Sequence, residues 1–179
     1  MKTKKDGIKK IGAFAGKFLP PHIGHVTEIE NSAKLCDELL VVVADNTDNS
    51  KRLCEQAGLP YISATLRIKW LREHFKGNKK IKVIYMCEDG LPKFPLGMAE
   101  WSKRFKEITK HKVNMKFADE TYRQLNEKYF PECEFVCFDR SKINISATDI
   151  RSDPQKHLEY IIPEARSFFM KNAKNNKNS

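Results

Sequence analysis

The stretch GKFLPPHIGH occupies residues 16–25 and joins two different patterns. Before it runs IGAFA, a short apolar segment that reads as a buried strand. After it, Val26, Ile29, Ala33 and Cys36 recur at roughly helical spacing. Gly16 ends the strand and lets the backbone come close to a ligand. Pro20 and Pro21 hold the chain extended and restrict Leu19 as well. Gly24 permits a tight approach where the helix opens. A helix start near His25 offers unpaired N–H groups and the positive end of a dipole. Lys17, His22 and His25 around that point supply donors and charge. Such a junction suits an anion such as phosphate. The plainer alternative is two surface histidines in a polar loop.

The alternation continues along the chain. Apolar, β-rich runs cover residues 11–15, 39–44, 81–86, 113–117 and 134–138. Helical patterns cover 25–35, 63–75, 99–109 and 119–129, with Ser63 as the N-cap of the second. Asp153 followed by Pro154 is a cap and first-turn signal. A last helix is predicted from Pro163, carrying Ala165, Phe168 and Phe169. Strands alternating with helices predict an α/β fold: a mostly parallel sheet of about five strands, with helices on both faces. In such sheets ligands bind beyond the carboxyl ends of the strands. Residues 16–25 lie at the first of these ends.

Composition narrows the classes. The chain has 179 residues, 40% of them hydrophobic and 31% charged, which fits one globular domain. No apolar run is long enough to span a membrane, and the basic start leads into a strand rather than a signal segment. A cytoplasmic location is the expectation. The five cysteines show no zinc-like spacing and read as reduced thiols, mostly in or near the core. The net charge is +10, but residues 1–10 hold five Lys against one Asp, and residues 170–179 hold three Lys. Charge massed at the ends, without interleaved aromatic residues, argues for solvated tails and against nucleic-acid binding. The expected layout is a basic segment over 1–9, a domain over 10–171 and a disordered Lys/Asn-rich tail over 172–179.

One short string occurs twice: ISAT at 62–65 and again at 145–148. The first copy reads as a helix cap. The second continues as Asp149-Ile150-Arg151, giving Ile-Ser-x-Thr-x-x-Arg. Together with His22-Ile23-Gly24-His25 after a strand, this resembles the two signatures of the HxGH nucleotidylyltransferase superfamily. Further matches narrow the resemblance to the nicotinamide-nucleotide adenylyltransferase domain of the NadR type: GKFLPPHIGH, Arg67-x-x-Trp70-Leu71, Glu88-Asp89-Gly90, Phe94-Pro95-x-Gly97, Trp101-Ser102 and ISATDIR followed by Asp153-Pro154. The likeness runs from about Lys10 to Lys171.

The resemblance implies a Rossmann-like fold and a reaction. ATP and nicotinamide mononucleotide would give NAD and pyrophosphate by direct in-line attack on the α-phosphorus. It implies catalytic roles for His22, His25, Lys17 and Arg151, and contacts to ATP from Gly16, Phe18, Gly24, Ser146, Thr148 and Asp139. Mg²⁺ would arrive with ATP, without a dedicated carboxylate cage. For the mononucleotide the candidates are Trp101, Asp89, Asp45 and Arg67. Three of them have a structural alternative: core packing for Trp101, turn formation for Asp45, a salt bridge for Arg67. Trp70 reads as core. Met98 stands where the family often has Trp, so Trp101 or Tyr85 would have to receive the pyridine ring. The larger NadR proteins carry a helix-turn-helix before this domain and a kinase after it; the expectation here is a stand-alone transferase. The resemblance allows a homo-oligomer and leaves the choice between nicotinamide and nicotinate open. Rival readings are a nucleotidylyltransferase acting on phosphopantetheine or a polyol phosphate, and a non-catalytic nucleotide-binding module.

Overall fold

Val41, Val42 and Val43 are all fully buried, so the strand that holds them is covered on both faces. That strand, β2 (Glu38–Asp45), is an interior strand of a five-stranded sheet in a computed structural model that describes residues 8–138 and 145–173. The other strands are β1 (Ile11–Gly16), β3 (Ile81–Cys87), β4 (Met115–Ala118) and β5 (Glu134–Cys137). Their spatial order is β3-β2-β1-β4-β5, and every pair is parallel. The chain steps outward from β1 to β3, then crosses back to lay β4 on the other side of β1. The carboxyl ends of β1 and β4 therefore flank the point where strand order reverses, where such sheets bind ligands.

Helices cover both faces. On one, α1 (Ile23–Leu35) and α3 (Ala64–His74) meet Phe14, Leu39, Val41, Val43 and Val83 from the sheet. On the other, α4 (Met98–Ile108) and the end of α5 (Arg123–Tyr129) bring Phe105 and Phe130 onto Ala13, Leu40, Val42 and Met86. Burying each such aliphatic or aromatic side chain contributes about 1.5–3 kcal/mol. A third cluster joins α3 to α7 (Pro163–Ala173) through Leu19, Ile62, Trp70, Ile161 and Phe169. Trp70 is core, as its spacing predicts, and packs edge-on against Phe168. At the sheet edge Arg72 donates twice to the Val83 carbonyl, which helps close β3 against further pairing.

Three local expectations need correction. The segment after β2 forms α2 (Thr47–Gln56), which hydrophobic periodicity did not reveal because its buried residues are Ser50 and Cys54. Asp153-Pro154 does not open a helix. Asp153 ends α6 (Ala147–Ser152), and its carboxylate accepts from Lys156 N in a turn before the 3-10 segment Leu158–Tyr160. The 119–129 pattern divides into a 3-10 turn, Glu120–Tyr122, and α5. Helix α7 is described to Ala173, and 1–7 and 174–179 lie outside the described residues. Cys36 and Cys54 are buried and Cys133 and Cys137 half-buried, but Cys87 is exposed at the end of β3. Among the described residues no helix is long and apolar enough to cross a membrane.

Candidate functional site

The junction after β1 is built from the inside. Phe18 has φ +52, the left-handed region that disfavours a bulky residue. Its ring is 1% exposed, packed near Phe14 and edge-on to His25 with centroids 4.9 Å apart. Burial offsets the backbone strain, of order 1–3 kcal/mol. A Cβ at Gly16 would stand 3.2 Å from the Phe18 ring, a tight contact to which the ring would have to yield by a few tenths of an ångström. Phe18 thus packs against His25 from within, and its ring is buried, which leaves its backbone for the ATP contact expected of it.

Helix α1 begins two residues earlier than expected, and His22 is its N-cap. His22 Nδ1 accepts from Gly24 N at 3.1 Å, so the proton of a neutral ring sits on Nε2. A helix cap therefore fixes both the orientation and the tautomer of His22. One turn on, the His25 ring lies 3.8 Å from it, tilted by 33°. The two imidazoles lie together just after β1, His22 buried and His25 half-buried. Gly24 is buried, and Lys17, before them in the same junction, is exposed.

The far end of the chain reaches this junction. His22 pairs with Ile161 in an isolated antiparallel bridge, and Ile162 N donates to Pro21 O. Arg151 donates through Nη1 to Leu19 O at 2.6 Å and through Nη2 to Thr148 Oγ1 at 3.1 Å. Half-burial lowers the Arg151 pKa from its ordinary value, yet a guanidinium stays charged. Ser146 caps α6 and is closed in a reciprocal box with Asp149: its Oγ accepts from Asp149 N, and Asp149 Oδ2 accepts from Ser146 N. Ser146 Oγ also donates to Asp149 Oδ2 at 2.5 Å. These bonds hold the Asp149 carboxyl below its usual range, with smaller contributions from the charges of His157 and His22. So the two ISAT copies both cap helices, since Ser63 Oγ accepts from Leu66 N. Asp139 lies outside the described residues.

The residues expected around a second ligand divide into two groups. Arg67 and Asp45 are internal. Arg67 is fully buried and donates to Ser63 O, to Lys17 O at 2.6 Å and to Asp45 Oδ1 at 2.6 Å. Ser50 Oγ donates to the same Asp45 oxygen. This clamp ties α3, β2 and the loop after β1 together, so the salt-bridge alternative for Arg67 holds. Asp45 also lies at the floor of a cleft of about 780 Å³ lined by Thr47, Tyr61, Lys69, Arg72 and Tyr85. Asp89 is likewise engaged: both carboxylate oxygens accept from Thr47, from N at 2.7 Å and Oγ1 at 2.9 Å. Those bonds lower its pKa and tie the loop after β3 to the start of α2. A direct ligand contact from either carboxylate would have to displace or share these partners.

Trp101 stands apart from that clamp. It lies in the first turn of α4, half-buried, stacked on Phe105 with centroids 5.2 Å apart and edge-on to Phe130. Its Nε1 donates to Glu88 Oε1 at 2.6 Å. Beneath, Lys116 of β4 points its ammonium at Phe105, Phe130 and Trp101, at 3.7, 4.3 and 5.1 Å from the ring centres. Burial pushes Lys116 down to about 7. Strand alternation separates the two candidate regions: Tyr85 shares the α3 face with Val83, whereas Ile84 and Met86 face α4 and the Trp101 cluster. Glu88, Lys116 and Asp149 were not legible as site residues. Nothing in local sequence reveals which ring or cap a distant side chain will meet.

A family model described as Cytidylyltransferase-like matches residues 13–153. The trifunctional NAD biosynthesis/regulator protein NadR of Salmonella typhimurium is 30% identical over 171 residues, which cover 91% of this chain and 41% of that protein. A crystal structure of NadR protein in complex with NAD and AMP-PNP is 33% identical with a TM-score of 0.70, covering 90% of this chain and 47% of that one. A bifunctional NMN adenylyltransferase/ADP ribose pyrophosphatase from Francisella tularensis shares the fold at 18% identity, with a TM-score of 0.66, over 94% of this chain and 54% of that one. The chain spans about two-fifths of the length of the NadR relative. With both signature segments inside the matched region and the expected parallel sheet around them, this chain belongs to the cytidylyltransferase-like family.

Proposed function

We propose that the protein transfers the adenylyl group of ATP to nicotinamide mononucleotide, giving NAD and pyrophosphate. The observation that carries the reading is the junction at the carboxyl end of β1. There His22 caps α1, His25 lies against it at 3.8 Å, and Arg151 is tethered to Leu19 from 132 residues away. Similarity to NadR, one structure of which holds NAD and an ATP analogue, supports it.

In this reading a 5′-phosphate oxygen of the mononucleotide attacks the α-phosphorus of ATP in line. The new P–O bond forms as the bond to the β,γ-pyrophosphate breaks. The attacking group is already an anion, so no protein base is required. The chain's task is positioning and charge stabilisation. His22 Nε2–H and His25 donate to the α-phosphate oxygens as negative charge builds, and each such donor is worth about 10²–10³ in turnover. Lys17 and Arg151 hold the departing pyrophosphate. Thr148 positions Arg151, and Ser146 acts through its cap. Trp101 receives the pyridinium ring by stacking. Mg²⁺ would travel with the ATP phosphates. Among the described residues no three His, Cys, Asp or Glu side chains group to hold a metal ion.

The test is pyrophosphate release from MgATP with nicotinamide mononucleotide, nicotinate mononucleotide, phosphopantetheine and glycerol phosphate offered separately. Release in step with a dinucleotide, only with a pyridine mononucleotide, is expected. Release with another acceptor would overturn the substrate, and silence with all four would overturn transferase activity.

A further inference from the structure

Glu88 follows β3 directly, at the sheet end where ligands bind. Its backbone is held at both ends: N donates to Asp45 O at 2.8 Å, and O accepts from Leu91 N at 3.1 Å and from Asn46 Nδ2 at 3.4 Å. Its side chain is fixed by the 2.6 Å bond from Trp101 Nε1. Both the position and the direction of this half-buried carboxylate are therefore set.

What it lacks is a cation. Among the described residues no Lys, Arg or His forms an ion pair with Glu88; its one side-chain bond is to a neutral indole. The charges nearby are otherwise engaged. Arg104 donates to the carbonyls of Cys87 and Asp89 and faces Glu100 at 3.6 Å. The Asp89 carboxylate holds Thr47. Lys116 is enclosed by Phe105, Phe130 and Trp101. A rigid carboxylate at the edge of a stacking ring, with no protein cation, complements a flat, positively charged ligand that carries N–H donors.

We propose that Glu88 determines which pyridine mononucleotide is accepted: its free oxygen accepts from a carboxamide N–H and turns away a ring that carries a carboxylate. This rests on the reading of Trp101 as the platform for the pyridinium ring. Nicotinamide mononucleotide offers a cationic ring and an amide N–H₂. Nicotinate mononucleotide offers the same ring with an anion in place of the amide. A charge-assisted hydrogen bond gained on one side and like-charge repulsion on the other separate the two by about 10- to 100-fold.

The experiment compares kcat/KM for the two mononucleotides with MgATP, in the wild type and in Glu88→Gln. The glutamine keeps an acceptor for Trp101 Nε1 and removes the charge. Equilibrium binding of each mononucleotide and the thermal midpoint are measured alongside. Expected is a wild-type preference for the amide of at least about tenfold, collapsing about tenfold or more in Glu88→Gln, mainly through KM, at an unchanged midpoint. Trp101→Phe, which keeps a stacking ring but leaves Glu88 untethered, should erode the preference less than Glu88→Gln does. A Glu88→Gln ratio within twofold of wild type, or a wild-type preference for nicotinate, would overturn the proposal while leaving adenylyl transfer standing. No dinucleotide from either mononucleotide would overturn both.

Discussion

Replacing Arg67 with Met should destabilise the fold strongly, although Arg67 belongs to one of the matched motifs. The side chain is fully buried, and its guanidinium donates to Ser63 O, Lys17 O and Asp45 Oδ1. Methionine fills much of the volume but supplies none of the donors. Asp45, 1% exposed, keeps Ser50 as a partner and loses the cation it pairs with among the described residues. Removing one member of a buried pair costs about 3–5 kcal/mol. For a chain of this size each kcal/mol moves the thermal midpoint by about 2–4 °C, so a fall of about 6–20 °C is expected. The double variant Asp45→Asn/Arg67→Met removes both charges and should recover at least about 1 kcal/mol relative to the sum of the single changes. Urea unfolding at 25 °C followed by circular dichroism, with a check that the slope is unchanged, reads these differences directly. Arg67→Met within about 1 kcal/mol of wild type, or strictly additive changes, would refute the clamp.

Two further outcomes follow from the packing. Gly97 opens α4, and a Cβ there would stand 2.3 Å from the Pro92 carbonyl oxygen, so the backbone must move. Gly97→Ala should cost about 1–3 kcal/mol and raise KM for the mononucleotide more than for ATP, because Trp101 rides on that helix; equal changes in both would contradict the placement. Lys116 gives stability a pH dependence. The unfolded chain keeps this proton to near 10.5 and the folded chain only to about 7, so between those values unfolding takes up a proton. Its contribution therefore makes stability rise with pH across that window, narrowed from below by the three ring contacts that favour the ammonium. Urea unfolding from pH 6.5 to 9.5 should show Lys116→Met flattening the rise and stabilising most at the acid end; parallel profiles would show that Lys116 stays charged throughout.

Apolar runs carried most of the fold in plain view. Strand β2 is covered on both faces and reads as an unbroken apolar run, and the five strand positions came within about two residues of those observed. Helix α2 was hidden because its buried face holds Ser50 and Cys54, which carry no hydrophobic period. The start of α1 was misplaced because its cap is an imidazole, outside the Ser, Thr, Asp and Asn set that marks most N-termini. The site divides on similar lines. His22 and His25 are local, three residues apart, and their meeting follows from helix geometry. Arg67, Asp45 and Asp89 are polar residues near strand ends, where ligand contact and internal clamping look alike until their partners are known. The partners that decide the matter lie far off in sequence: Asp45 and Lys17 are 22 and 50 residues from Arg67, and Thr47 is 42 from Asp89. Glu88 and Lys116 draw their interest from Trp101, 13 and 15 residues distant, and only the packing of α4 on the sheet unites the three.

The central claim is that the histidine pair at the end of β1 stabilises transfer of the α-phosphoryl group of ATP. The most direct measurement supplies ATP labelled at the α-phosphorus together with nicotinamide mononucleotide, and follows the label into dinucleotide with wild type and His25→Ala, whose thermal midpoint is checked in parallel. The account predicts one labelled dinucleotide per pyrophosphate. It also predicts a fall of about 10²–10³ in turnover for His25→Ala, with the fold retained. Label that never leaves ATP, or a His25→Ala protein turning over at nearly the wild-type rate, would contradict it.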